Sequence, residues 1–204
     1  MFLIRHAETA TPNVFHGMES DVGLSPWGDR QAIQLAEHLA DSGAKAVYCS
    51  GLRRAIATAT PIAEALGQSP VIVPGLHERK IGSLSGTSRE AGWDVYAESK
   101  RRWMAGELDY THPGGESFSE IGRRVLPILE DLRHRHEGEP YIVVAHGIVI
   151  RVALLELLPD RTPADFDSIA IDFASINDLT HDGETWRPQA LNVVVAPSPA
   201  RPVA

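Results

Sequence analysis

The clearest strand in the sequence is Tyr141-Ile142-Val143-Val144-Ala145, and His146-Gly147 follows it directly. An uninterrupted apolar run of this length is typical of a strand buried on both faces at the centre of a parallel sheet. Helical periodicity continues from about Ile148 to Leu158, so the stretch predicts a strand–helix unit. Ligands of such sheets bind outside the carboxyl ends of the strands, which is where His146 and Gly147 would lie.

Further strand and helix patterns alternate on both sides of this unit. Short apolar runs predict strands at Phe2-Leu3-Ile4, Ala46-Val47-Tyr48-Cys49 and Val71-Ile72-Val73, and near Ser168–Ala174 and Ala190–Val195. Helical spacing predicts helices that begin at Ser25-Pro26, after Ser50 and at the capping-box pattern Ser117-Phe118-Ser119-Glu120. The alternation predicts an α/β fold, a three-layer α/β/α sandwich with a mostly parallel central sheet.

The chain length of 204 residues fits one ordinary α/β domain with a small insertion. We expect a single domain over residues 1–196. Within it, residues 77–116 show weaker periodicity and are expected to form a lid-like insertion. Residues 197–204 are rich in proline and small side chains, so a flexible tail is expected there.

The composition is that of a globular protein, with 43% hydrophobic and 23% charged residues. The net charge of −8 argues against a protein that binds nucleic acid or anionic membranes through a basic face. No apolar run reaches the length of a transmembrane helix, and Arg5-His6 interrupts the apolar start before a signal peptide could form. We therefore expect a cytoplasmic protein that is a monomer or a homodimer.

Ionisable residues follow the predicted strands at one edge of the sheet. They are, in chain order, Arg5, His6, Arg53, Arg54, Glu78 and His146. Guanidinium groups bind phosphoryl oxygens through two parallel hydrogen bonds. A neutral imidazole is a nucleophile, and a nearby carboxylic acid can protonate a departing oxygen. The edge therefore predicts a phosphoryl-transfer site that requires neither a metal ion nor a cofactor.

Six sequence blocks resemble the histidine phosphatase (phosphoglycerate mutase-like) superfamily in order and spacing. They are Arg5-His6-Ala7-Glu8-Thr9, Leu24-Ser25-Pro26-Trp27-Gly28, Ser50-Gly51-Leu52-Arg53-Arg54-Ala55, Leu76-His77-Glu78, Pro113-Gly114-Gly115-Glu116-Ser117 and Val144-Ala145-His146-Gly147. The blocks lie within about residues 2–150. Two positions depart from the usual pattern: Ala7 replaces the usual glycine, and Ser85 stands where many members carry glutamate.

The resemblance implies a phosphohistidine mechanism acting on a small phosphorylated substrate. His6 would attack the phosphoryl group, and Arg5 and Arg54 would hold its oxygens. His146 would donate a hydrogen bond to the same group, while Glu78 would be the proton donor. These roles come from the family, matched residue by residue to the blocks quoted above.

Some further positions are less closely matched to the family pattern. The resemblance implies that Gly147 and Asn13 contact substrate, although the spacing from His6 to Asn13 is one residue longer than in the mutase branch. Arg53 occupies a variable position of its block, and we expect it to be structural or solvated.

Several residues have both a functional and a structural interpretation. One group either lines a substrate lid or simply packs: Trp93, Tyr96, Arg101, Arg102 and Trp103. Ser117 is expected to cap its helix. The acidic run Asp160–Asp172 is expected to be a solvated surface segment.

The residue spacing and the residue types of this sequence do not fit other classes of enzyme. A cysteine phosphatase needs five residues between its cysteine and arginine, but four residues separate Cys49 from Arg54. A metal hydrolase using the histidines is disfavoured by the neighbouring arginines, and the sequence has neither a Gly-x-Ser-x-Gly elbow nor a Walker loop. A non-catalytic module that binds a phosphorylated ligand is the non-enzymatic alternative.

Hydrolysis and phosphoryl return are the two enzymatic alternatives. In a hydrolase, water attacks the phosphohistidine, whereas a mutase passes the phosphoryl group back to the substrate and must exclude water. The phosphoglycerate mutases that the chain resembles are longer, mainly through a larger insertion. The length of 204 residues therefore predicts a metal-independent phosphomonoester hydrolase, with a mutase as the alternative.

Overall fold

The computed structural model describes residues 1–195, so the expected tail at 197–204 lies outside the described residues. The strands are β1 (Phe2–Arg5), β2 (Val47–Cys49), β3 (Val71–Ile72), β4 (Ile142–Ala145), β5 (Ser175–His181) and β6 (Trp186–Val194). The α-helices are α1 (Pro26–Leu39), α2 (Arg53–Ala65), α3 (Arg89–Met104), α4 (Phe118–Arg135) and α5 (Gly147–Leu157). Short 3₁₀ helices lie at Pro74–Leu76, Gly82–Leu84 and Pro163–Ser168.

The strands form one sheet in the order β3-β2-β4-β1-β5-β6. The pairs β2–β3, β2–β4 and β1–β4 are parallel, while β1–β5 and β5–β6 are antiparallel. Because β1 and β4 are adjacent and parallel, with Arg5 opposite Ala145, the residues that follow these two strands lie side by side. The predicted α/β fold with a mostly parallel sheet is confirmed.

Helices cover both faces of the sheet, as the alternation of strand side chains requires. Val143 and Ala145 pack into a core cluster with the apolar faces of α4 and α5. Ile142 and Val144 point the other way and pack with α1 and α2. All four of these β4 side chains are fully buried, in agreement with the continuous apolar run of the sequence.

The starts of α1 and α4 follow from their capping residues. Ser25 caps α1 by accepting a hydrogen bond from the backbone N–H of Gly28. Ser117 caps α4 through the reciprocal capping box with Glu120 that the sequence indicates. A Cβ atom at Gly28 would lie 2.1 Å from the carbonyl oxygen of Glu8, so glycine is needed for α1 to approach the loop after β1.

The segment after α5 differs from its sequence-based prediction. A strand was expected near Ser168–Ala174, but residues 163–168 form a 3₁₀ helix and β5 begins at Ser175. Thr162 and Asp165 form a capping box that starts the 3₁₀ turn, and Ala174 has a left-handed φ of 56°, which extended backbone does not allow. The strand expected at Ala190–Val195 is longer than predicted and begins at Trp186.

The interval 77–116, expected to be an insertion, contains a 3₁₀ turn and α3. α3 joins the main body through buried Trp103, whose ring contacts those of Phe118 and Phe166, and through an ion pair of 2.8 Å between Lys100 and Asp167. Over residues 1–195, none of the helices combines the length and the hydropathy that crossing a membrane demands.

Candidate active site

The carboxyl ends of β1 and β4 bring two buried histidines together. His6 follows β1 and His146 follows β4, and their ring centroids lie 5.1 Å apart. The backbone N–H of His6 donates to the carbonyl oxygen of Ala145 at 3.0 Å, which continues the parallel ladder beyond β1. Because this ladder is backbone structure, the pairing of the two rings is set by the sheet itself.

One hydrogen bond fixes the tautomer of His6. Nδ1 lies 2.7 Å from the carbonyl oxygen of Ala7. A carbonyl oxygen can only accept, so Nδ1 carries the proton and the lone pair is on Nε2. Burial, Arg54 and Arg5 hold the pKa of His6 well below its usual range, so the ring is neutral at pH 7.

Arg5 lies in the wall of the same cavity. Its Nη1 donates to the carbonyl oxygen of Ile171 at 2.7 Å, and its guanidinium carbon lies 3.8 Å from the centroid of the Phe173 ring. Burial lowers the pKa of Arg5 to about 10, which leaves it charged at neutral pH. A Cβ atom at Gly147 would come within 3.3 Å of Arg5 Nε, so glycine at this position lets the start of α5 approach the guanidinium.

Arg54 is fully buried at the start of α2. Its terminal nitrogens donate to the carbonyl oxygens of Ser20 at 2.7 Å and Gly17 at 3.1 Å. Burial lowers its pKa. Although Arg54 is outside the cavity lining, after burial it is the largest influence that lowers the pKa of both His6 and His146, so its charge reaches both rings.

His146 is fully buried, and neither of its ring nitrogens has a hydrogen-bond partner among residues 1–195. Burial, Arg54 and His6 hold its pKa well below the usual range. Leaving a buried polar atom unpaired costs about 1–3 kcal/mol. A ligand oxygen beside a ring N–H of His146 would recover this free energy.

Glu78 supplies a carboxylate to the cavity and is 8% exposed. Its Oε1 accepts from the backbone N–H of Arg79 at 2.9 Å, and its Oε2 lies 3.4 Å from the N–H of Ile148 in the first turn of α5. The carboxyl group is therefore held in the cavity wall beside the first turn of α5.

The cavity at this edge of the sheet has a volume of about 190 Å³. The predicted site residues in its wall are Arg5, His6, Glu78 and Gly147. His146 and Arg54 are buried close to it. The structure thus brings the core residues of the predicted site together at the expected edge of the sheet.

Asn13 lies at a different position from this cluster. Its side chain is exposed, and its backbone carbonyl accepts from the N–H of Arg89 at 2.8 Å. The lining of the cavity in this segment includes Phe15 and His16. His16 accepts from or donates to the hydroxyl groups of Thr11 and Ser20 through its two ring nitrogens, so it holds the loop around Asn13 together.

The residues that had both a functional and a structural interpretation lie in different environments in the structure. Tyr96 lines the cavity, Trp103 is buried in the core and Trp93 is exposed on α3. Arg101 and Arg102 form ion pairs with Glu98 on the surface. Arg53 is exposed and its backbone N–H donates to Asp21.

The sequence patterns did not assign two arginines and one loop to the site. Arg89 of α3 and Arg151 of α5 both line the cavity. Arg151 lies four residues after Gly147 on α5, so the helical period could have indicated it. The interpretation of Asp160–Asp172 as a solvated segment is wrong in part, because Phe166, Ile169 and Ile171 are buried and Ile171 lines the cavity with Phe173.

Within the part of the chain that the structure describes, no group of three or more His, Cys, Asp or Glu side chains is arranged to hold a metal ion.

Known proteins resemble this chain in sequence and in fold. The model of the histidine phosphatase superfamily (branch 1) matches residues 1–194. A metal-independent phosphoserine phosphatase of Arabidopsis thaliana is 33% identical over 190 residues, which are 90% of this chain and 79% of that protein. A 2,3-bisphosphoglycerate-dependent phosphoglycerate mutase of Brucella anthropi is 33% identical over 172 residues, 80% of this chain and 82% of that protein.

A solved structure of a phosphatase also resembles the chain in fold. A mycobacterial glucosyl-3-phosphoglycerate phosphatase in complex with VO3 superposes with a TM-score of 0.81 at 26% identity, covering 94% of this chain and 98% of that one. The relatives named above include phosphatases and a mutase, both of which transfer phosphoryl groups. With its two buried histidines at adjacent strand ends and a family match over almost its whole length, the chain belongs to branch 1 of the histidine phosphatase superfamily.

Proposed function

We propose that the chain is a metal-independent phosphomonoester hydrolase that acts through a phosphohistidine on His6. The observation that carries the proposal is the tautomer of His6: Nδ1 donates to Ala7, which leaves the lone pair on Nε2 for attack on phosphorus. The ring lies in the wall of a cavity with Arg5. An imidazole kept neutral by burial beside guanidinium groups that bind phosphate is suited to this attack.

The reaction has two halves. In the first, His6 Nε2 forms a bond to phosphorus while the ester P–O bond breaks, and the protonated carboxyl group of Glu78 gives its proton to the departing oxygen. In the second, the Glu78 carboxylate takes a proton from water, whose oxygen bonds to phosphorus as the P–N bond breaks. The products are an alcohol and inorganic phosphate.

Positive charge around His6 stabilises the phosphoryl oxygens during both halves. Arg5 and Arg54 supply fixed cations, and a ring N–H of His146 supplies a neutral donor. Such preorganised groups need little reorganisation during the reaction, which makes electrostatic stabilisation effective in a buried site.

The proposed substrate is a small phosphomonoester that carries a second anionic group. The cavity volume of about 190 Å³ is smaller than the pockets that hold drug-sized ligands. Arg89 and Arg151 add positive charge to its wall beyond the phosphoryl-binding cluster, and guanidinium groups pair well with carboxylates. Phosphoserine, the compound named in the Arabidopsis relative, has both features and is the first substrate to test.

A mutase is the second candidate, and chain length does not separate it from a hydrolase. The Brucella relative is named a mutase, and 172 aligned residues cover 82% of it, so the two proteins are similar in length. The expectation that mutases of this kind are longer therefore carries no weight for this chain. Because that relative is named a mutase and is 33% identical, the test must also measure return of the phosphoryl group to the substrate.

The test is a panel of phosphomonoesters assayed for free phosphate and for isomerised product. Phosphoserine and phosphoethanolamine form a matched pair, since the second lacks the carboxylate. We expect free phosphate, a preference for phosphoserine, and acid-labile phosphate on the enzyme after brief exposure to substrate in the presence of EDTA. Isomerised 3-phosphoglycerate without free phosphate would favour the mutase, and loss of activity with EDTA would contradict the mechanism.

The substrate preference has its own matched variants. Arg89→Leu should lower kcat/KM for phosphoserine about tenfold or more, because a charged pair in a partly buried site is lost, and should have a smaller effect on phosphoethanolamine. Arg101→Leu is the control, since Arg101 lies on the same helix but is paired with Glu98 at the surface. Equal losses on both substrates would contradict a carboxylate-binding role.

A further inference from the structure

The loop at residues 169–174, between the last 3₁₀ helix and β5, contacts the reacting residues from outside the family motifs. The Phe173 ring lies 5.7 Å from the His6 ring, centroid to centroid, and stacks under the Arg5 guanidinium. The carbonyl oxygen of Ile171 accepts from Arg5. The N–H of Ala174 donates to the carbonyl oxygen of His6 at 3.3 Å. The loop therefore touches both the nucleophile and its neighbouring arginine.

Ile171 and Phe173 together determine the orientation of Arg5. One terminal nitrogen is held by the Ile171 carbonyl oxygen and one face of the guanidinium is covered by the Phe173 ring. Arg5 Nε is buried without a partner among residues 1–195. Because the guanidinium group of Arg5 is planar, these two contacts fix the direction in which its remaining N–H donors point.

A bulge in β6 secures this loop. Ile176 pairs with Val193 and Asp178 pairs with Ala190, so two residues of β6 lie opposite Asn177 alone. Asn192, in the bulge, has a left-handed φ of 53°, a conformation that asparagine tolerates. Bulges beside active sites commonly redirect a side chain, and this one directs Asn192 toward the loop.

Two hydrogen bonds join Asn192 to Asp172. The Asp172 N–H donates to Asn192 Oδ1 at 2.7 Å, and Asn192 Nδ2 donates to Asp172 Oδ2 at 2.8 Å. The N–H of Asn192 donates in turn to Asn177 Oδ1 at 3.0 Å, and Asn177 Nδ2 donates to the carbonyl oxygen of Leu3 at 3.1 Å. This hydrogen-bonded chain connects the loop to β1, the strand that carries Arg5.

The backbone of the loop is strained where it meets β5. Ala174 has a φ of 56°, which is unfavourable for a residue with a Cβ atom. Such conformations persist when the surrounding contacts determine them, and they concentrate at functional sites. Here the Asn192–Asp172 pair and the contacts of Phe173 hold the strained backbone.

Resting on the proposed function, we propose that Phe173 is a positioning residue that orients Arg5 and keeps water away from His6, and that Asn192 holds its loop in place. Around His6, the titratable and charged groups from the elements packed against it are Arg5, His16, Arg54, Glu78 and His146. The charged group of the loop itself, Asp172, is hydrogen-bonded to Asn192 and acts electrostatically on Arg5, whereas Phe173 acts on His6 by covering it. Burial is the largest cause of the lowered pKa of His6, and Phe173 supplies part of that burial.

The first experiment needs no substrate. Histidine labelled with ¹³C at Cε1 is followed by NMR against pH, and the His6 signal is assigned by its loss in His6→Gln. We expect the pKa of His6 to rise by half a unit or more in Phe173→Ala and less in Phe173→Leu. Phe2→Ala is the matched control, a half-buried phenylalanine at the other end of β1. An unchanged His6 titration in Phe173→Ala would overturn the covering role.

The second experiment tests the loop attachment with phosphoserine hydrolysis. Asn192→Gly removes the amide but keeps the left-handed backbone accessible, and it should lower kcat about tenfold, since misplacement by 1 Å can cost 10²-fold. N192D should be slower than the wild type because two carboxylates would face each other. The double variant D172N/N192D restores an amide–carboxylate pair and should recover most of the activity. Wild-type kcat in N192G, or no recovery in the double variant, would overturn the proposal.

These outcomes are separable from failure of the proposed function. If the wild-type enzyme forms no acid-labile phosphate, the phosphohistidine mechanism is wrong, while the NMR titration of His6 still reports whether Phe173 covers it. If phosphohistidine forms and the Phe173 and Asn192 variants match the wild type, the positioning proposal alone is wrong.

Discussion

Each end of the sheet has a cavity lined by a histidine, and the two cavities differ in size and in chemistry. At the amino ends of β1 and β4 a cavity of about 390 Å³ is lined by His136 and Tyr141. His136 is stacked on Tyr141, and its Nε2 lies 2.8 Å from the hydroxyl group of Tyr48. At the carboxyl ends the cavity is about 190 Å³, with His6 beside His146.

The smaller cavity concentrates positive charge, and the larger one does not. Arg5, Arg89 and Arg151 line the carboxyl-end cavity, whereas Arg133 at the amino end is paired with Glu130. The chain as a whole has a net charge of −8. Cavity size alone would therefore favour the amino end of the sheet, whereas the concentration of positive charge favours the carboxyl end.

The largest expected effect is a loss of activity when a histidine is replaced at the carboxyl end of the sheet but not at the amino end. His6→Ala removes the nucleophile and should lower phosphomonoester hydrolysis by about 10⁴-fold or more, with loss of the acid-labile phosphoenzyme. His136→Ala, at the amino end, should leave kcat/KM within about twofold in the same assay. Comparable losses in the two variants would remove the distinction between the cavities.

A smaller effect is expected from the arginines. Arg54→Lys keeps a positive charge but cannot reproduce the two-pronged contact with the carbonyl oxygens of Ser20 and Gly17. Loss of preorganised charge stabilisation should lower kcat by about 10²-fold. Arg133→Lys is the control at the amino end, and a steady-state assay of both variants decides whether the arginine effect is specific to one end.

Glu78→Gln should slow turnover according to the leaving group. An amide cannot protonate the departing oxygen, so hydrolysis of an alkyl phosphate should fall by about 10²-fold. Nitrophenyl phosphate, whose leaving group needs no proton, should be affected much less in its first half-reaction, which a pre-steady-state burst of nitrophenol measures. Equal slowing of alkyl phosphate turnover and of the nitrophenol burst would contradict the role of Glu78 as the acid.

The smallest effect is on stability. The pKa values of His6 and His146 are lowered in the folded protein, so the unfolded chain binds more protons once the pH falls below about 6.5. The free energy of unfolding should therefore decrease from pH 7 to pH 5, by up to about 1.4 kcal/mol per pH unit for each histidine. Urea titrations should show a shallower dependence in His146→Gln, and an unchanged slope would contradict this assignment.

The edge that carries the candidate site was predictable because it depends on backbone order. Arg5, His6 and His146 directly follow buried strands, and adjacent parallel strands bring such residues together whatever the loops do. Glu78 was placed by its family block, and its contact with the start of α5 depends on the tertiary fold.

The remaining part of the cavity wall depends on loops whose periodicity carries little information. Arg89 reaches the cavity because α3 packs against the body through Trp103, which contacts Phe166 from a distant segment. Phe173 fell within the strand expected near Ser168–Ala174, but its position depends on the left-handed backbone of Ala174 and the bulge at Asn192. Single-sequence patterns do not encode either feature.

The hydrogen bond from His6 Nδ1 to the carbonyl oxygen of Ala7 also has an analytical consequence. It blocks the ring nitrogen nearer to the main chain, so a phosphorylated form of this protein would be a single regioisomer, with phosphorus on the remote nitrogen. Antibodies that discriminate between the two phosphohistidine regioisomers would therefore recognise the trapped enzyme with one reagent and miss it with the other.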